Sequence, residues 1–102
     1  MLQQQNIATA IAATATGAAV TMNTTPFVPG TSVIARITPV GFSGTPILQG
    51  SDDNASWSSL FAPGAMTTDD APVQVQVTLP KYVRHNTTRS AGTVSYDIVS
   101  GS

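Results

Sequence analysis

The sequence predicts a small all-β fold: a single-domain antiparallel β-sandwich or barrel with an extended N-terminal arm. Three observations carry this. The segment Val73–Leu79 (VQVQVTL) alternates apolar and polar residues with a period of two, the mark of a half-buried strand. Clusters of Gly, Pro, Asp and Asn recur about every 8–12 residues, a spacing that suits sandwiches and barrels. Ser and Thr supply 25 residues and only 9% are charged. Hydroxyls therefore do the solvating, and the β-branched Thr fits a pleated surface.

The elements follow in chain order. Residues 1–9 are assigned to the arm, opening on the polar stretch Met1–Asn6 with its three glutamines, Gln3 to Gln5, and the sandwich domain takes residues 10–102. Ala10–Asn23 is open between helix and strand. Ala favours helix, Thr and Val favour strand, and the lack of a 3.6-residue apolar stripe tips the reading to strand. Pro26–Gly30 reads as a turn. Thr31–Thr38 is a strand with Val33, Ala35 and Ile37 on one face, and Pro39 is expected to end it. Val40–Thr45, with Gly41 and Gly44, reads as a loop, and Pro46–Gly50 as a short strand. Ser51–Ala55 is a hairpin turn, because Asp and Asn bond their own backbone. Ser56–Phe61 returns as a strand with Trp57, Ser59 and Phe61 on one face, and Ala62–Ala71 is a loop. After Val73–Leu79, Pro80 interrupts. Lys81–His85 is a strand, Asn86–Gly92 a turn, and Thr93–Ser100 the last strand, with Val94, Tyr96 and Ile98 inward.

Length and charge bound the function. A chain of 102 residues has material for one core. The four basic side chains (Arg36, Lys81, Arg84, Arg89) face five Asp and no Glu, for a net charge of -1. That leaves no electrostatic footprint for nucleic acid or an anionic membrane. Absence of Cys removes thiol nucleophiles, thiolate metal sites and disulfides. A low net charge does little to oppose self-association, and burying Ser or Thr in an interface costs far less than burying Lys or Glu. Ile7–Met22 has no Lys or Arg before it and is too short and polar for a span, so the sequence reads as carrying neither a cleaved signal nor an anchor.

Candidate chemistry is sparse. Asp52, Asp53 and Asn54 in one turn, and Asp69 and Asp70 in another loop, supply hard oxygens of the calcium-binding type. Their spacing fits no EF-hand loop, and turn chemistry accounts for the first group, so no metal or other cofactor is expected. His85, the one histidine, has no Gly-x-Ser-x-Gly elbow to serve and reads as an exposed or edge-strand residue. No catalytic residue emerges, and an enzyme is not expected. Tyr82, Arg84, Arg89 and Tyr96, on or between the last two strands, could form a sugar-stacking or nucleic-acid surface, and Trp57 could be a ligand platform. Trp57 as a core anchor, with one core tyrosine per strand and snorkelling arginines, is the simpler reading.

The segment Ile47–Leu60 contains Gly50-Ser51-Asp52-Asp53 followed, three residues on, by Trp57. This hairpin resembles one found in discoidin-like, sugar- or lipid-binding β-sandwiches and one found in small bacteriophage virion proteins. In the latter a strand and a Pro-aromatic-x-Arg segment follow. Pro80-Lys81-Tyr82-Val83-Arg84 is similar to that piece, and Thr93–Val99 to the closing strand. Discoidin-like domains are longer and carry paired cysteines. The resemblance to phage virion proteins implies a capsid decoration (cement) protein, made in the host cytoplasm and placed on the capsid surface. Its partners would be the major capsid protein and copies of itself, as a homotrimer, with no nucleic acid, membrane or small-molecule substrate. Leu2, Gln3, Gln4, Gln5 and Ile7 are the expected partner contacts, because glutamine amides can pair with exposed backbone. The alternatives are a carbohydrate-binding module with Trp57, Tyr82 or Tyr96 as platform, and another phage part such as a tail-tube, fibre or head–tail joining subunit.

Overall fold

The structure, a computed structural model, describes residues 2–101. The fold is all-β, with no helix among those residues, and forms one open antiparallel sheet of eight strands. The strands are β1 (Leu2–Ile11), β2 (Ala15–Thr16), β3 (Val20–Thr21), β4 (Ser32–Ser51), β5 (Ser58–Phe61), β6 (Met66–Asp69), β7 (Val73–Thr78) and β8 (Tyr82–Gly101).

Two strands of 20 residues organise the molecule. β4 and β8 pair along their length, from Ile34↔Val99 to Ser51↔Tyr82, with register shifts between Val40 and Gly44. The burial pattern changes phase at that point. In β4 odd residues are buried from Val33 to Pro39, then the even residues Phe42, Pro46, Leu48 and Gly50. In β8 the buried set runs Val83, His85, Thr87 and then Val94, Tyr96, Ile98. Extra residues in a ladder bend the strand and re-aim its side chains. Gly44 and Gly92 permit the bend. A Cβ on Gly44 would lie 2.0 Å from the Thr88 carbonyl oxygen, and one on Gly92 would lie 2.1 Å from that of Gly41. Both glycines also have positive φ, at 151° and 72°.

The bend folds the sheet into two sandwich-like layers. The first is β1–β8–β4–β7, using the N-terminal half of β4 and the C-terminal half of β8. The second uses the other halves, flanked by β2 and β3 on β8 and by β5 on β4, with β6 at the bend. Val33, Ala35, Ile37, Val94, Tyr96 and Ile98 from the first layer meet Leu48, Val83 and Phe42, and Met22, Phe27, Met66 and Leu79 close the core. Overall extents of 34 × 33 × 18 Å fit two layers stacked about 10 Å apart.

Several expectations are corrected here. Pro39 does not end a strand, Val40–Thr45 is not a loop, and Asn86–Gly92 is not a turn: β4 and β8 run through all three. Pro39 and Pro46 are tolerated because β4 has a neighbour on one side only at each. Pro39 falls in the gap between β7 and β6, and Pro46 in the gap between β6 and β5, so on the side away from β8 no strand needs a donor from either. The Ala62–Ala71 loop holds β6, and β5 starts after Trp57. Ala10–Asn23 is not one strand. It contains the end of β1 and two two-residue strands, joined by exposed small residues with too little apolar surface to hold a longer ladder. Leu2–Ile11, which spans most of the segment expected as an arm, is an edge strand paired to β8, and Ile7, Ala8 and Ile11 pack on the core. Met1 and Ser102 lie outside the described residues.

Candidate functional site

The expected contact residues lie on β1, the outermost strand of the first layer. Leu2 pairs with Gly101, Gln3 with Ser100, Gln4 with Val99 and Gln5 with Ile98. Gln3 and Gln4 are exposed, Gln5 is half-buried, and Ile7 packs against the core. Alternation puts Gln4 and Asn6 on the outer face and Gln3 and Gln5 on the inner one. Next to them on the outer face, Asp97 is nearly buried, with its side chain 9% exposed against 33% for Arg36. Arg36 donates to it through Nε (3.0 Å to Oδ1) and through Nη2, and Gln4 donates from its amide. The Asp97 carboxylate beside it raises the Arg36 pKa further, so the guanidinium stays charged. This is the ion pair of the described residues, and it sits between strands, leaving both edges neutral.

The opposite edge of the same layer is β7. Its alternation marks a strand with one wet face, and nothing in its residue types alone points to a functional role. Gln74 and Gln76 are exposed, and Val75, on the inner face, is still 39% exposed. No residue of β1 or β7 carries a charge, and neither strand contains proline. Edges of that composition are unprotected against further pairing. The signal was present in the sequence as an uncharged stretch from Ala71 to Pro80.

The other candidates resolve into structural roles. Trp57 is not a core anchor. It lies half-buried at the far end of the second layer, with the Arg84 guanidinium 4.0 Å from its ring centroid. Arg84 Nε also donates to Gln49 Oε1 at 2.8 Å. Tyr82 is half-buried with Lys81 Nζ 5.7 Å from its ring, whereas Tyr96 is buried and offers no face to a sugar. His85 is buried rather than exposed. Its ring stacks on Tyr96 and its Nδ1 lies 2.9 Å from Thr87 Oγ1.

Asp53 organises the turn after β4. Its Oδ1 accepts from the Ala55 and Ser56 amides, both at 2.9 Å, and these bonds, with one from Ser51, hold its pKa below the ordinary value. Asp70 Oδ1 accepts from the Gly41 amide at 2.6 Å, at the bend, so the two acidic pairs serve different turns. Among the described residues no group of three or more His, Cys, Asp or Glu gathers to hold a metal. Ser51, Ser56, Ser58, Ser59, Asp52 and Asp53 line a surface cavity of about 320 Å3, with Leu60 and Pro80 as its apolar walls. Comparison with known proteins returned no matching family model, no matching curated protein and no matching solved structure.

Proposed function

We propose that this chain is a structural virion protein, a capsid decoration protein that binds the outside of a phage head and stabilises the shell as a homo-oligomer. The observation that carries the reading is the pair of uncharged, amide-bearing edges on one layer, β1 and β7. A rigid sheet whose rims can accept further strands is suited to bridging neighbouring subunits. The rest of the surface agrees: it is rich in hydroxyls and poor in charge, so covering it costs little desolvation. Such a protein acts mechanically. Each contact to the shell adds binding free energy that the unassembled shell protein lacks, and the shell is stabilised by mass action.

The test is sedimentation of the purified chain with assembled heads that lack it. Saturable co-sedimentation at a fixed copy number, with a higher melting temperature for the heads, is the expected result. A chain that stays in the supernatant at saturating concentrations overturns the reading. The carbohydrate alternative has one feature in its favour, the hydroxyl-lined cavity near the half-exposed Trp57. Quenching or shifting of Trp57 fluorescence by simple saccharides would favour it.

A further inference from the structure

The geometry points to a specific self-assembly: β1 of one copy adds antiparallel to β7 of the next, so that the layer β1–β8–β4–β7 continues from copy to copy around a closed ring. This specifies the self-association within the decoration reading, and it can be tested without a shell.

Three observations lead to it. First, the layer has four strands, all antiparallel, so its two edges run in opposite directions. Rotating a second copy about an axis along the strands therefore brings β1 beside β7 with the alternation unbroken. Second, the residue rows cross the whole layer in step. One outer-face row runs Gln4–Val99–Ile34–Gln76, and the next runs Asn6–Asp97–Arg36–Gln74. Carrying those rows across the junction sets Gln4 beside Gln76 and Asn6 beside Gln74, side-chain amides that donate and accept in pairs. On the inner face the same register sets Gln5 beside the half-open Val75, covering it. Third, both edges lack the charge and proline that keep edge strands from pairing.

A second copy could instead pair β1 with β1 about a twofold axis. That arrangement leaves β7 as open as before, whereas the head-to-tail junction satisfies both edges. A head-to-tail contact is heterologous and must close into a ring or extend into a filament.

The experiment is light scattering on a sizing column with two variants, Gln3→Lys/Gln5→Lys on β1 and Gln74→Lys/Gln76→Lys on β7. The unaltered chain should run as a closed oligomer of three or more copies, at least 3 × 10.5 kDa. Each variant alone should be monomeric, because every copy lacks one of the two edges. Mixed together, the variants should form a 1:1 dimer, since one supplies an intact β1 and the other an intact β7. Recovery in the mixture also shows that both variants are folded. A β7 variant that remains dimeric would overturn the proposal in favour of β1–β1 pairing, and a monomeric unaltered chain would overturn it outright. A monomer that still sediments with heads sinks this inference alone. A ring that does not bind heads sinks the decoration reading alone.

Discussion

Tyr96 stacks on His85 with ring centroids 5.2 Å apart, although eleven residues of the same strand separate them. Eleven residues of straight strand would span about 36 Å. The contact therefore measures how completely β8 folds back on itself. It also joins the two layers through polar atoms, since the Tyr96 hydroxyl lies 2.6 Å from Thr87 Oγ1, which in turn meets His85 Nδ1. Burial pushes the Tyr96 hydroxyl above its ordinary pKa, against the opposing pull of hydrogen bonds from Thr87 and the Ile47 backbone.

Tyr96→Phe keeps the ring and deletes the hydroxyl. Thr87 is buried, so its hydroxyl loses a partner that water cannot replace. The expected loss is about 1–3 kcal/mol of unfolding free energy, read from urea denaturation. No change in midpoint would mean that the chain Tyr96–Thr87–His85 contributes nothing to holding the layers together.

Stability should fall with acid in a window set by His85. Burial lowers its pKa from the ordinary 6.5, and no acidic group among its hydrogen-bond partners opposes this. Above pH 6.5 the ring is neutral in both folded and unfolded chains. As pH drops through that value the unfolded chain binds a proton that the folded chain resists, so unfolding free energy declines until pH passes below the folded-state pKa. His85→Gln should flatten this slope. The Asp53 turn acts in a separate, more acid window. Its lowered pKa stabilises the fold above about 3.8, and this contribution is lost below it.

Gly44→Ala and Gly92→Ala test the bend. The added methyl groups would press on the Thr88 and Gly41 carbonyl oxygens, which are backbone atoms with nowhere to move, and both positions have positive φ. Each substitution should cost at least about 2 kcal/mol by thermal or urea unfolding. Gly64→Ala is the control. It also has positive φ but meets nothing within 4 Å, so it should cost less.

Arg36→Met leaves Asp97 nearly buried with Gln4 as its one remaining side-chain donor. Because Arg36 is one-third exposed, the expected loss is about 1–2 kcal/mol, below that of a fully buried pair. Asp97→Asn in the same background should recover part of it, since the amide carries no charge. Denaturation of the single and double variants measures the coupling.

Much of the fold was legible from local pattern. Val33, Ala35 and Ile37, and Val94, Tyr96 and Ile98, are buried as their alternation indicates, because a strand's period of two fixes the faces. The continuity of β4 and β8 was not legible. Proline and glycine read as punctuation, yet Pro39 and Pro46 fill gaps between flanking strands, and Gly44 and Gly92 turn a continuous ladder rather than ending it. The same holds for the candidate site. Gln3 to Gln5 stood out as an amide run, but only pairing with β8 makes them an edge. Arg36 and Asp97 stand 61 residues apart, and Trp57 meets Arg84 through a register that no local pattern encodes. Their burial could not be read from composition.

Amide hydrogen exchange of the assembled protein, with and without heads, addresses most directly the claim that the uncharged edges are where this chain meets its neighbours. Those amides of Gln3–Asn6 and Val73–Thr78 that point away from β8 and β4 should be protected to the level of the central strands. If the amides of both edges that point away from β8 and β4 exchange as fast in the assembled protein as unpaired surface amides do, neither edge is paired to a neighbour, and the account of β1 and β7 as contact surfaces is contradicted.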